Sequence, residues 1–298
     1  MTESRPVIGL GEILWDCFPD ERRPGGAPAN FAFHAQQLGL NGVVLSRVGT
    51  DELGEEFVQY LSRHGLSDQY VQRDAEHATG QVRVEFVDGD PQYTFVDDVA
   101  WDYLEFLPET AVLCAKASVL CFGTLAQRSR ASQLMIYDCL RAAPSDAWKI
   151  YDINLRPPWF NKSTIESSLQ LANALKLNED EVVYLAENFG LPTELEPFAA
   201  EVQQFFGLKA VCITLGGDGC LVARGDEQSR QPGIPIKIAD TVGAGDSFTA
   251  AIAHGLVQQK SVAEMARFAN HVAALVASHA GAMPDLRVEI AKIPQNSA

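Results

Sequence analysis

The chain has 298 residues, 47% of them apolar, and a formal net charge of −16. Such a composition fits a globular protein rather than a disordered one, and the length allows one large core, alone or with a small appended element. The acidic balance argues against nucleic acid or an anionic membrane surface as a partner, yet a small anion held by local amides or a metal stays compatible with it. Residues 7–11 read as a buried strand entering a turn. Residues 29–38 read as a helix with Phe31, Ala35 and Leu38 on one face and Gly39 as its stop. A strand at 43–45 and a helix at 53–64, ended by Gly65, repeat the pattern, which predicts a parallel sheet with helical crossovers.

The alternation then breaks. Residues 81–87 and 92–96 form two period-two strands around the turn residues Asp88, Gly89, Asp90 and Pro91. With the extended segment 12–23, this hairpin is expected to make a small separate sheet over the strand ends, where open α/β sheets bind ligands, and so to act as a lid that excludes water. An edge hairpin with no role is the alternative. Short apolar runs at 119–122, 149–152, 174–177 and 210–214 read as further buried parallel strands. Helices are expected at 129–143, 164–172, 180–189, 195–206, 245–258 and 262–280. The expected division is a core of residues 1–11, 26–78 and 100–298 with a lid of 12–25 and 79–99.

The six cysteines form no CxxC pair and read as buried thiols of a reducing compartment. No secretory leader or bilayer-spanning run is read, so a cytoplasmic location is expected.

Chemistry concentrates in Asp240-Thr241-Val242-Gly243-Ala244-Gly245-Asp246, where a loop becomes an apolar helix. Unpaired amides at a helix start attract anions, and glycines let a phosphate approach them. Asp246 beside such a cradle makes sense as the base that takes a proton from an attacking hydroxyl; a dipole partner in an ordinary helix start is the plainer reading. Gly25-Gly26-Ala27-Pro28-Ala29-Asn30, with Asp16 upstream, offers groups suited to sugar hydroxyls, although Asn30 also fits a helix cap. Asn178-Glu179-Asp180-Glu181 supplies hard oxygens that suit water around Mg²⁺, or simply a solvated acidic helix start. Thr214 to Gly219 is a glycine-rich turn after a strand. Neither GxxxxGK[ST] nor GxGxxG is present, and no zinc spacing is readable.

Taken in order, these motifs make the chain resemble the ribokinase-like (pfkB) carbohydrate kinase family along its whole length, and within it the fructokinases. The resemblance implies a three-layer α/β/α sandwich with a mainly parallel central sheet and a small β lid, and ATP-dependent transfer of a phosphoryl group to a sugar hydroxyl. It makes Asp246 the base and the amides of Gly243, Ala244 and Gly245 the anion hole. Asp16, Gly26 and Asn30 would hold the sugar, while Glu181 and Asn178 organise magnesium, water and phosphate. Thr214, Gly216 and Gly219 would line the nucleotide, with Asn270 beside the adenine. Some relatives bind a monovalent cation such as K⁺ near the anion hole. Asp240 and Val242 match that position, and the neighbourhood of Val276, His279, Gly281 and Asp285 would complete it through carbonyls.

Asp152-Ile153-Asn154-Leu155-Arg156 resembles a segment common in fructokinases, with Ile153 in place of proline. The stretch 96–102 lacks an arginine often found there, which puts fructose itself in doubt. Trp101 would pack on a sugar face or serve as lid core. An acid sugar favours a basic pocket, and Arg156 is the arginine that falls nearby. The resemblance to fructokinases makes fructose the first expectation. A 2-keto-3-deoxy sugar acid, a ribose or a nucleoside are alternatives on the same fold, and a non-catalytic sugar or nucleotide sensor is the alternative of another class. An exposed lid sheet invites a homodimer, and short lid segments leave a monomer as the other outcome.

Overall fold

The computed structural model describes residues 4–87 and 90–293. In chain order the strands are β1 (Pro6–Leu10), β2 (Leu14–Cys17), β3 (Arg22–Gly25), β4 (Asn41–Gly49), β5 (Val71–Asp74), β6 (Gly80–Val87), β7 (Asp90–Phe95), β8 (Val119–Phe122), β9 (Trp148–Asp152), β10 (Ala174–Asn178), β11 (Ala210–Thr214), β12 (Gly219–Arg224) and β13 (Glu227–Pro232). The helices are α1 (Ala27–Gln37), α2 (Glu52–Arg63), α3 (Pro108–Cys114), α4 (Arg130–Ala142), α5 (Lys162–Leu171), α6 (Glu179–Phe189), α7 (Leu195–Phe206), α8 (Ala244–Val257), α9 (Val262–Ala277) and α10 (Arg287–Ile290).

Nine strands form the main sheet in the order β13-β12-β11-β10-β9-β8-β1-β4-β5. All neighbours from β5 to β11 pair in parallel, and β12 and β13 close the edge in antiparallel fashion. Period-two alternation sends each strand's side chains to opposite faces. Ile8, Leu10, Leu120, Phe122, Val211 and Ile213 pack with α3 to α7 on one face. Val7, Val119, Cys121, Ala210 and Cys212 pack with α1, α8 and α9 on the other. The second face is built from smaller side chains, which lets its helices sit close. At Gly9 a Cβ would lie 2.0 Å from the carbonyl oxygen of Pro28, so no larger residue fits under α1 there. The result is the expected three-layer sandwich.

The second sheet has the order β3-β2-β6-β7. It is mostly antiparallel, with β2 and β6 parallel. The strand β2 begins four residues beyond the end of β1, and β3 leads straight into α1. This sheet therefore hangs from the carboxyl edge of the main one.

The structure corrects several sequence expectations. Asp90 and Pro91 belong to β7 rather than to a turn, and Asp88 and Gly89 lie outside the described residues. The helix expected to run to 280 ends at Ala277. Strand β5 and the β12–β13 hairpin were not foreseen. The hairpin partner β13 reads Glu-Gln-Ser-Arg-Gln-Pro, mostly exposed, without the apolar alternation that marks a half-buried strand.

Candidate active site

Strand ends place the site. β1, β9, β10 and β11 all point their carboxyl ends the same way, and α8 starts beside them. Its N-cap is Gly243 with φ 79°. The first helical residues have no carbonyl one turn earlier to bond. Ser247 N donates to the Gly243 oxygen at 2.8 Å, and Ala244 N reaches the Thr241 oxygen at 3.3 Å. Of the three amides expected to form an anion hole, that of Ala244 thus already has a long internal partner.

Asp246 stands in this first turn. Its Oδ2 accepts from Nδ2 of Asn30 at 2.7 Å. Asn30 is therefore no helix cap: it lies inside α1, 4% exposed, with its amide turned to the carboxylate and its Oδ1 unpartnered. Burial pushes the Asp246 pKa up to about 6, the nearby charge of Asp152 adds to this, and Asn30, Lys176 and Arg156 oppose it.

Three residues of the site, Lys176, Thr249 and Glu12, escaped the sequence reading. Lys176, on β10, bonds Asp152 Oδ1 of β9 at 3.0 Å, and its Nζ lies 3.2 Å from where a Cβ of Gly245 would stand. A buried ammonium thus sits at the start of α8. Burial alone would lower its pKa, but Asp152 and Glu181 outweigh that and raise it, so it stays charged. Thr249 donates to Asp152 Oδ2 at 2.9 Å, one turn along α8. Glu12, just past β1, is 4% exposed and its Oε2 has no partner. A lysine flanked by leucines in a buried strand was the available signal for Lys176. Glu12 gave none.

On the acceptor side, Asp16 lies on β2, opposite Arg23 of β3. Burial raises its pKa to about 6 against the pull of Arg156 and Arg23. Gly26 is the N-cap of α1 with φ 117°. Arg156 is exposed, and its charge acts on Asp246, Glu12 and Asp16 together. Trp101 departs from the sugar-face reading. It is 1% exposed, packed in the main core with Arg128 over its ring at 3.9 Å, which leaves no face open to a ligand.

On the other side of α8 runs a cleft of about 440 Å³ that brings together Asn178, Thr214, Gly216, Gly219, Gly245 and Asn270. Ile234, Ile236 and Ile238 give it an apolar wall. Asn270 Nδ2 donates to the Pro232 oxygen at 2.9 Å, tying α9 to β13 at this wall. A larger groove, about 710 Å³, lies at the amino ends of the strands around Arg5, Asn41 and Lys116. It holds none of the groups just described.

Glu181 is 4% exposed, and its two oxygens accept from the amides of Asn178 and Leu155, each at 2.8 Å. Asn178 Oδ1 returns a bond from Glu181 N at 2.9 Å, which makes a capping box for α6. Burial raises the Glu181 pKa, with Lys176 opposing. Among the described residues no group of three or more His, Cys, Asp or Glu could cage a metal. Magnesium keeps several waters and needs few protein ligands, so Glu181 fits an ion held through water and phosphate oxygens rather than a direct cage. In the cation neighbourhood, Asp240 accepts from Val242 N at 3.0 Å and from Gly281 N at 3.2 Å, which joins the two segments. The carbonyl of Val276 is taken by His279 N at 2.9 Å, and Asp285 turns to Arg287 at 3.3 Å. The Val276 oxygen keeps a second lone pair, and the Asp285 contact uses its carboxylate rather than its carbonyl.

A carboxylate and a buried ammonium at a helix start, with an adjoining apolar-walled cleft, are groups suited to transfer chemistry on an anionic donor. The pattern of the pfkB family carbohydrate kinases matches residues 11–288. The chain belongs to that family and is a sugar kinase. It is 29% identical to the uncharacterized sugar kinase PH1459 from Pyrococcus horikoshii over 93% of this chain and 91% of that one. It is 28% identical to Fructokinase-1 of Oryza sativa subsp. japonica over 96% of each chain. The crystal structure of PH1459 in complex with ATP superposes with a TM-score of 0.80 at 27% identity, covering 92% of this chain and 93% of that one. A fructokinase from Xylella fastidiosa shares the fold with a TM-score of 0.85 at 20% identity, covering 98% of both chains.

Proposed function

We propose that this sugar kinase transfers the γ-phosphoryl group of Mg-ATP to a hydroxyl of a small uncharged sugar, with fructose as the first candidate. The observation that carries the reading is the pairing of Asp246 with Asn30 at a helix start that also faces Lys176. In this reading Asp246 takes the proton of the acceptor hydroxyl. The sugar oxygen bonds to the γ-phosphorus as the bond to the bridging oxygen of ADP breaks. The free amides at the start of α8 and the ammonium of Lys176 face the charge on the transferring group. Magnesium would neutralise phosphate charge, organised by Glu181 and Asn178. Thr214, Gly216, Gly219 and Asn270 would line the nucleotide, as ATP-bound relatives of the same fold lead one to expect.

The acceptor side favours an uncharged sugar over a sugar acid. Asp16, Glu12 and Asp246 share the field of Arg156, with Arg23 acting also on Asp16 and Lys176 on Asp246. A substrate carboxylate would place a further like charge beside these three carboxyls. Asp16, Gly26 and Asn30 are the proposed sugar contacts, and the second sheet is the proposed lid. Six free thiols, five of them buried, suit the proposed cytoplasmic location. A homodimer through the second sheet would use β7, because the β3 edge carries Arg22 and Arg23 paired with Glu56 and Glu21. Sedimentation at about twice the 32.5 kDa chain mass supports it, and 32.5 kDa rejects it.

A coupled ADP-release assay over fructose, ribose, a nucleoside and a 2-keto-3-deoxy sugar acid tests the substrate reading. Fructose is expected to give the highest kcat/KM. A preference for the acid removes the charge argument, and tight binding without turnover of any sugar favours a sensor.

A further inference from the structure

Arg128 ends a short 3-10 helix, Leu125–Arg128, and its side chain is 4% exposed. Nε and Nη2 donate to Oδ1 and Oδ2 of Asp102 at 2.8 and 2.7 Å. Nη2 also donates to the Val96 oxygen at 2.8 Å. Nη1 has no hydrogen-bond partner, and the carboxylate of Asp97 stands 3.6 Å away. The guanidinium carbon stands over two indoles, 3.9 Å from the centroid of Trp101 and 5.0 Å from that of Trp159.

A buried ion pair is weak evidence of stabilisation, because desolvation offsets most of the attraction. What distinguishes this one is where its partners come from. Val96 and Asp97 follow β7 directly, and Val96 N bonds the Gln81 oxygen of β6 at 3.0 Å. They form the exit of the second sheet. Trp159 belongs to the loop after β9, where its N–H closes a turn on the Arg156 oxygen at 2.8 Å. The same loop is pinned upstream by Leu155 N on Glu181. Arg156 is thus carried between two anchors: Glu181 on the phosphate side and the Trp159–Arg128 stack on the side of the second sheet.

We propose that Arg128 is a positioning residue that couples the exit of the second sheet to the Arg156 loop, so that the cover over the acceptor and the cation facing the acceptor move as a unit. One guanidinium touches both segments. The planar fork and the stacking faces are properties that lysine does not reproduce. The kinetic consequence rests on the acceptor-site reading above; the mechanical one does not.

Hydrogen exchange read by mass spectrometry on the intact protein tests the mechanical part. Trp159→Leu leaves the Arg128–Asp102 pair in place and removes one stacking face. Faster exchange is expected both in 153–160 and in 95–101, with α7 unchanged as an internal control. A rise confined to 153–160 overturns the coupling, as does a uniform rise that includes α7. Arg128→Lys tests the kinetic part: the sugar KM should rise by at least ~5-fold while the ATP KM stays within about twofold, and Arg156→Ala on top of it should add little, because residues acting through one contact are not additive. Equal rises in both KM values, or additive effects, contradict it. If Arg128→Lys does not fold, Trp159→Leu carries both measurements. A wild-type protein that turns over no sugar rejects the acceptor-site reading and leaves the exchange experiment decisive for the coupling.

Discussion

The carboxyl of Glu12 is buried with one oxygen unpartnered, and burial pushes its pKa up to about 7, with Asp246 adding to the shift and Arg156 opposing it. A carboxyl whose folded pKa lies above its unfolded value holds its proton longer in the folded state, so stability falls as pH rises from about 4.5 to about 7. Glu12→Gln never ionises. Between pH 4 and pH 8 its melting temperature should improve relative to wild type by the equivalent of roughly 3 kcal/mol, at 1.36 kcal/mol per pKa unit. A difference that does not change with pH contradicts this. Asp246 has the same sign of shift, to about 6, and in its proposed role as base it must be ionised. The kcat/KM for the sugar should therefore fall about tenfold per unit below pH 6, with an apparent value that belongs to the whole site because Asp16 and Glu12 titrate beside it. A profile flat down to pH 5 removes Asp246 from the chemistry. Single residues were unevenly legible. Asp246 announced itself through its glycine neighbours, whereas Trp101 was ambiguous because its partner, Arg128, lies 27 positions away in the chain. Lone polar side chains such as Glu12 show their meaning only when the atoms around them are known.

At the scale of elements, the start of α8 depends on a backbone that a side chain would spoil. Gly243 has φ 79°, and a Cβ there would lie 2.5 Å from the Ala282 oxygen. His34 of α1 holds that same carbonyl at 2.8 Å, and burial drives the histidine pKa down to about 4, so a neutral ring donates Nε2–H to it. The loop at Ala282 is thus not free to retreat. Gly243→Ala should lower stability by more than about 1 kcal/mol, the usual scale for alanine forced to positive φ, and displace the amides of the helix start. Thermal melting and kcat measured together check this; an unchanged melting point contradicts it. Elements were the most legible level. Helix ends at Gly39, Gly65 and Asn178 carried local signals, and α7 matches its expected bounds at both ends. The edge strand β13 was missed because a polar edge strand needs no apolar alternation to be held by its ladder.

The whole molecule brings distant pieces of chain to one point. Asn30 and Asp246 are 216 positions apart in sequence and 2.7 Å apart in the site. The parallel sheet does this by putting successive strand ends on one edge, which is why motifs read at strand ends fell together. Register decided what could not be read: Lys176 meets Asp152 because β10 pairs with β9 in that alignment. The net charge of −16 makes the local arrangement more telling. An acidic protein that handles an anionic donor must create a positive site from amide dipoles and a buried ammonium, and α8 with Lys176 supplies both. The most direct test of this account is Asp246→Asn, assayed for turnover at saturating ATP and sugar and, separately, for ATP binding. The substitution keeps a side chain of the same shape beside Asn30 and removes the basic oxygen. The account predicts that kcat falls by at least ~10² while ATP affinity is retained. Turnover within a few-fold of wild type would contradict it.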